Sequence, residues 1–158
     1  MLGGPEDRPR SVAPRITLRD LRELRDLHVP RIVRRGFGGR SRYWPAHEIG
    51  HLLTTEAWRH LRPAFALAPP DADDRLEHEL RCRELAAMSV SRRLLCAAGR
   101  PDLARDERDD TDSTTVTWDD RGRVERILRR FRVLRLPRDR AGLEARLVRI
   151  SAGRDRRV

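Results

Sequence analysis

One pentad, His47-Glu48-Ile49-Gly50-His51, constrains this chain more than any other stretch. Its histidines can act together only if the segment is helical, because positions i and i+4 then share a face and aim both imidazoles at one point. Two imidazoles so placed can hold Zn²⁺. Glu48 stands about 100° round the helix from His47. There its carboxylate can take a proton from a water on the metal rather than ligate the metal itself. The flanks agree with a helix. Pro45 suits a first turn, where no N–H is needed. Ala46, Ile49, Leu52, Leu53 and Ala57 recur at helical spacing, and Pro63 stops the run.

A chain of 158 residues predicts one domain with a modest core. Aromatic residues make up 4% and charged residues 38%, so that core must be built from Leu, Val, Ile and Ala. All 35 basic residues are arginine. Total exclusion of lysine has no physical purpose and is explained by a GC-rich coding bias, which weakens the net charge of +10 as a sign of nucleic-acid binding. The charge is uneven: residues 101–120 hold 2 arginines against 8 acids, and residues 121–158 hold 14 against 4. Cys82 and Cys96 fall on one expected helix, about 21 Å apart and beyond disulfide reach. They read as free thiols of a reducing compartment. With no membrane-length apolar run, and no apolar signal core in Met1–Asp7, the expected location is cytoplasmic.

Along the chain, residues 1–15 read as a disordered basic N-terminus, 16–100 as the core, 101–113 as an acidic solvated linker, 114–150 as a strand and helix segment packed on the core, and 151–158 as a frayed tail. Thr17 and Asp20 form a capping pair for a helix through Leu18, Leu21, Leu24 and Leu27, ended by Pro30. Ile32-Val33 is a candidate strand. Arg35-Gly36-Phe37-Gly38-Gly39-Arg40 lacks the Lys-Ser/Thr of a phosphate loop and reads as a loop flanking the site. Asp74 and Glu77 resemble a capping box for a second long helix, which Gly99 and Pro101 stop. Thr114–Trp118 has strand propensity, and Asp119–Gly122 reads as a turn. Val124, Ile127, Leu128, Phe131 and Leu134 fit a helix. Asp139 caps a last helix through Leu143, Leu147 and Ile150. The fold class expected is α+β, predominantly helical.

A catalytic zinc takes three protein ligands, so a third must come from outside the pentad. The metzincin continuation is missing, since Thr54 and Ala57 stand where it needs glycine and histidine. His60 lies on the far side of a continuous helix from His51. On the second helix, Leu76, Leu80, Ala87, Leu94 and Ala98 form an apolar stripe. Glu84 sits on its edge, where a carboxylate is costly unless paired or bound to metal. Glu84 is therefore the favoured third ligand. Glu79 and Glu77 are the alternatives, Glu77 already having a capping task, and His78 points elsewhere. Tyr43, His60 and a nearby arginine are unranked candidates for stabilising an oxyanion.

Arg42-Tyr43-Trp44-Pro45-Ala46-His47-Glu48-Ile49-Gly50-His51-Leu52-Leu53 resembles the Arg-Phe-Thr-x-Ala-His-Glu-Leu-Gly-His-x-Leu stretch of the ImmA/IrrE family of metallo-endopeptidases. Glu84-Leu85-Ala86-Ala87-Met88 is similar to the family's ligand helix. The resemblance spans about residues 42–95. It implies a zincin-like, gluzincin-type minimal domain with an active-site helix and a following ligand helix. It further implies a bacterial zinc metallopeptidase that cleaves a protein substrate, typically a partner transcriptional repressor. Two other functions compete: a catalytically inactive relative used for protein interaction, and an Arg-rich module that contacts nucleic-acid phosphates through residues 121–158.

Overall fold

The computed structural model describes residues 15–30, 41–64, 72–111 and 118–155. Six helices account for almost all of them: α1 (Leu18–His28), α2 (Trp44–Ala64), α3 (Ala72–Ala97), α4 (Pro101–Thr111), α5 (Trp118–Arg130) and α6 (Arg140–Asp155). No strand occurs among the described residues, so the α+β expectation reduces to its helical part. The candidate strands at Ile32-Val33 and 114–117 lie outside the described residues, as do the glycine loop at 35–40, residues 1–14 and the end of the tail. No described helix is long and apolar enough to cross a membrane.

Helix α1 starts where its sequence directs. The Thr17 side chain accepts from the Asp20 N–H at 3.1 Å, and the Asp20 carboxylate accepts from the Thr17 N–H at 3.0 Å. Ile16 and Leu21, both buried, occupy the two positions of a hydrophobic staple around that cap. Leu21 and Leu24 face the core, whereas Leu27 is exposed. Asp20 also accepts from Arg140 at 3.0 Å, and Arg140 pairs with Glu23 as well, so the start of α6 is fastened to α1. Asp139 caps α6 through the Gly142 N–H at 2.8 Å, and Leu143, Leu147 and Ile150 are buried.

The pair α2 and α3 forms the centre, and every other helix packs on one of them or both. Ile49, Leu52, Leu53 and Ala57 of α2 meet a buried face of α3 made of Cys82, Leu85, Ala86, Val90, Leu94 and Leu95. Leu80, expected in this face, is exposed. The two helices touch most closely at Gly50. A Cβ there would run into the carbonyl oxygen of Ala87, itself fully buried. Helix α3 begins at Ala72, two residues before the expected Asp74 cap. It ends in a Schellman turn: Gly99 at φ 71°, its N–H on Cys96 O at 3.0 Å, and the Arg100 N–H on Leu95 O at 2.9 Å. Neither Cys82 nor Cys96 is in a disulfide.

Two expectations for the C-terminal half are corrected. Residues 101–111, expected as a solvated linker, form helix α4, with Leu103, Ala104 and Glu107 buried on one face and the other acids turned to solvent. Residues 118–122, expected as a strand end and turn, are the first turn and a half of α5. That helix buries Val124 and Leu128. It stops at Arg130, with the Val133 N–H returning to Leu128 O at 2.9 Å. Phe131 is therefore off the helix and 39% exposed.

Gly50→Ala should cost roughly 1–3 kcal/mol of stability, because α2 has to retreat from the Ala87 backbone. Urea denaturation checks this, and an unchanged midpoint would contradict the close approach.

Candidate metal centre

The pentad is helical, and its histidines share a face as their spacing requires. His47 Nε2 and His51 Nε2 lie 3.1 Å apart. Glu84 reaches across from α3 with one oxygen on each ring, Oε2 at 2.8 Å from His47 Nε2 and Oε1 at 2.9 Å from His51 Nε2. These ligand atoms lie within 4.8 Å of one another, and no other such group of acids, histidines or cysteines occurs among the described residues. Two imidazole nitrogens and one carboxylate oxygen are a donor set that Zn²⁺ takes. The residues present therefore fit the ion that the sequence implies.

The three candidate ligands differ in depth. His47 is buried, His51 is 24% exposed and Glu84 is 50% exposed. Glu84 is thus at the mouth of the site, and the site opens to solvent on the α3 side. Its position on the edge of the apolar stripe is as expected, but it stands further out than a buried carboxylate would. Glu79, an alternative third ligand, pairs with Arg83 along α3 at 3.3 Å and is not in the cluster. The side chains of Glu77, His78 and His60 lie outside those described.

His47 is held on every side. The indole of Trp44, one turn earlier, stacks on its ring with centroids 4.8 Å apart and planes 20° from parallel. Its other nitrogen, Nδ1, faces Glu107 Oε1 of α4 at 3.5 Å. Glu107 Oε2 accepts from the Ser91 hydroxyl of α3 at 2.5 Å. Glu107 and Ser91 are both buried. None of Trp44, Ser91 and Glu107 was singled out in the sequence. Trp44 had a detectable signal, an aromatic at i−3 from a ligand histidine. Glu107 had none, since it is one acid in a run of acids.

Electrostatics follow from this crowding. Burial alone would push the His47 pKa down, but hydrogen bonds to Glu107 and Glu84, and their charges, outweigh burial and raise it to about 9. For Glu84, burial pushes the pKa up, but the hydrogen bonds and charges of His47 and His51 dominate and hold it well below the usual carboxylate range. Without metal, His47 is therefore a cation between two carboxylates.

Glu48 is 3% exposed. Its Oε1 lies 3.4 Å from Arg25 Nη1 of α1. Its Oε2 is buried with no hydrogen-bond partner among the described residues. Tyr43, a candidate oxyanion donor, is committed elsewhere. Its hydroxyl donates to Asp110 of α4 at 2.6 Å. Burial first, and the Asp110 acceptor second, push its pKa up to about 12.

Comparison with protein-family models, characterised proteins and solved structures finds no match for this chain.

The metal-free protein should lose stability as pH rises. The folded pKa of His47, about 9, exceeds its ordinary 6.5. The protonated, paired ring therefore stabilises the fold fully below pH 6.5, and that contribution disappears as pH passes through about 9. Denaturation midpoints in chelator should fall across that window, and a flat or rising profile would contradict the His47 environment.

Proposed function

We propose that this chain is a zinc-dependent hydrolase of the HExxH type, a metallopeptidase acting on a protein substrate. The observation that carries the reading is the convergence of His47, His51 and Glu84 from two helices, with their ligand atoms within 4.8 Å of one another. Zn²⁺ bound there would act as a Lewis acid and lower the pKa of its water towards neutrality. Glu48, one residue after the first ligand, is the general base. Arg25 holds Oε1, which leaves Oε2 to take the proton and later pass it to the leaving amine. Trp44 keeps the His47 ring from turning. Glu84, half exposed, marks the side from which a substrate enters.

The peptide class of substrate rests on the resemblance of residues 42–53 and 84–88 to ImmA/IrrE metallo-endopeptidases, and the same resemblance suggests a partner repressor as target. A second reading is a metal-binding relative without activity, used as a protein-interaction partner. One observation favours it: the ion pair that closes Arg25 onto Glu48. The nucleic-acid reading draws on Arg123, Arg126, Arg129 and Arg130, all exposed on α5. It requires binding that weakens steeply with salt.

Glu48→Gln should keep stoichiometric zinc and lose cleavage of an unfolded protein such as casein by about 10²–10⁴-fold. His51→Ala should lose both. Elemental analysis and gel-based proteolysis read the two properties separately. Full cleavage by Glu48→Gln would reject the assigned base. Bound zinc with no wild-type cleavage would favour the inactive relative.

A further inference from the structure

Glu107 sits on α4, a helix that supplies none of the three candidate ligands, yet its carboxylate is buried against one of them. We infer that Glu107, itself held by Ser91, is a positioning residue for the metal centre: it takes the Nδ1–H of His47 and so leaves Nε2 bare and aimed at the ion. The inference rests on His47, His51 and Glu84 being metal ligands.

A neutral imidazole carries one N–H, and whichever nitrogen carries it cannot bind a metal. The two nitrogens of His47 face different partners. Nε2 faces His51 Nε2 and Glu84, while Nδ1 faces Glu107. Without metal, Glu84 at 2.8 Å competes for the proton at Nε2; once an ion takes Nε2 and Glu84, Glu107 is the acceptor left for the Nδ1–H, and it fixes the ring's orientation. The carboxylate is in turn fixed, because the buried Ser91 hydroxyl donates to its second oxygen at 2.5 Å. Trp44, stacked on the ring face, blocks the rotation that would exchange the two nitrogens. Three helices thus act on one imidazole: α2 carries it, α3 supplies Glu84 and Ser91, and α4 supplies Glu107. This also explains why a carboxylate is buried beneath an otherwise solvated acidic helix.

Two measurements on the full chain test the assignment. Long-range ¹H–¹⁵N NMR of histidine-labelled, zinc-loaded protein reads which His47 nitrogen bears the proton. Competition with a chromophoric chelator reads zinc affinity. Wild type should show the Nδ1–H form with zinc bound. Glu107→Gln, whose amide oxygen still accepts, should keep that form and bind zinc within a few-fold of wild type. Glu107→Ala should lose the preference and bind zinc about 10–100-fold more weakly. Ser91→Ala removes only the holder and should weaken zinc binding several-fold, which keeps the test open if Glu107→Ala does not fold. A merely structural Glu107 would lower stability in these variants without changing tautomer or affinity, and that result would overturn the assignment. A zinc-loaded wild type with the proton on Nε2 and the ion on Nδ1 of His47 would overturn it too. Failure of wild type to bind zinc would remove the metal reading on which the assignment rests, whereas zinc bound equally tightly by wild type and Glu107→Ala would overturn the assignment alone.

Discussion

The arrangement depends on one close approach, that of Gly50 to the backbone of Ala87. Any side chain at position 50 would hold α2 and α3 apart. Because Gly50 lacks one, the helices touch there, and the geometry of the site follows from helical spacing. His47 is three residues before the contact and His51 one after it. Glu84 is three residues before Ala87, on the same turn of α3 that faces the pentad. A carboxylate has a short reach, and both of its oxygens come within 2.9 Å of the imidazoles only because the two backbones meet one turn away. The buried Thr54 hydroxyl is satisfied next to the contact by donating to the Gly50 carbonyl at 2.9 Å.

Around that contact the protein concentrates its buried polarity. His47, Glu48, Ser91 and Glu107 are four of the five buried polar or charged residues among those described, and the fifth is Thr54. Buried charges are costly unless paired, so a small core made mostly of leucine and alanine has no reason on stability grounds to collect them. Each is compensated within the cluster: His47 by Glu84 and Glu107, Glu107 by Ser91, and one oxygen of Glu48 by Arg25. The remaining Glu48 oxygen is left over. The proposed metal centre would account for this concentration of polar groups.

Much of this was legible in residue order because it depends on local rules. The pentad, with Pro45 before it and apolar residues at helical spacing, specified α2. The Thr17 cap, the Gly99 stop and the Asp139 cap were each readable from a few neighbouring residues, and each is present. Glu84 stood out because a carboxylate at the edge of an apolar stripe needs a partner, and the partner is the pair of imidazoles. What escaped was set by tertiary contact. Helix α4 has only Leu103, Ala104 and Glu107 turned inward, a stripe too narrow to stand out from the surrounding charge. The start of α5 at Trp118 replaced a turn suggested by Asp119-Asp120-Arg121-Gly122, since packing against α2 and α3 overrode local turn preference. The Arg25–Glu48 and Glu107–His47 pairs join residues 23 and 60 positions apart, and no spacing rule reaches that far.

X-ray absorption at the zinc edge of the loaded protein tests the central claim most directly. Two imidazole nitrogens and a carboxylate oxygen at about 2.0–2.2 Å are expected, with no sulfur in the shell. A sulfur ligand at about 2.3 Å, which would implicate Cys82 or Cys96, or a metal shell lacking imidazole, would contradict the assignment of His47, His51 and Glu84.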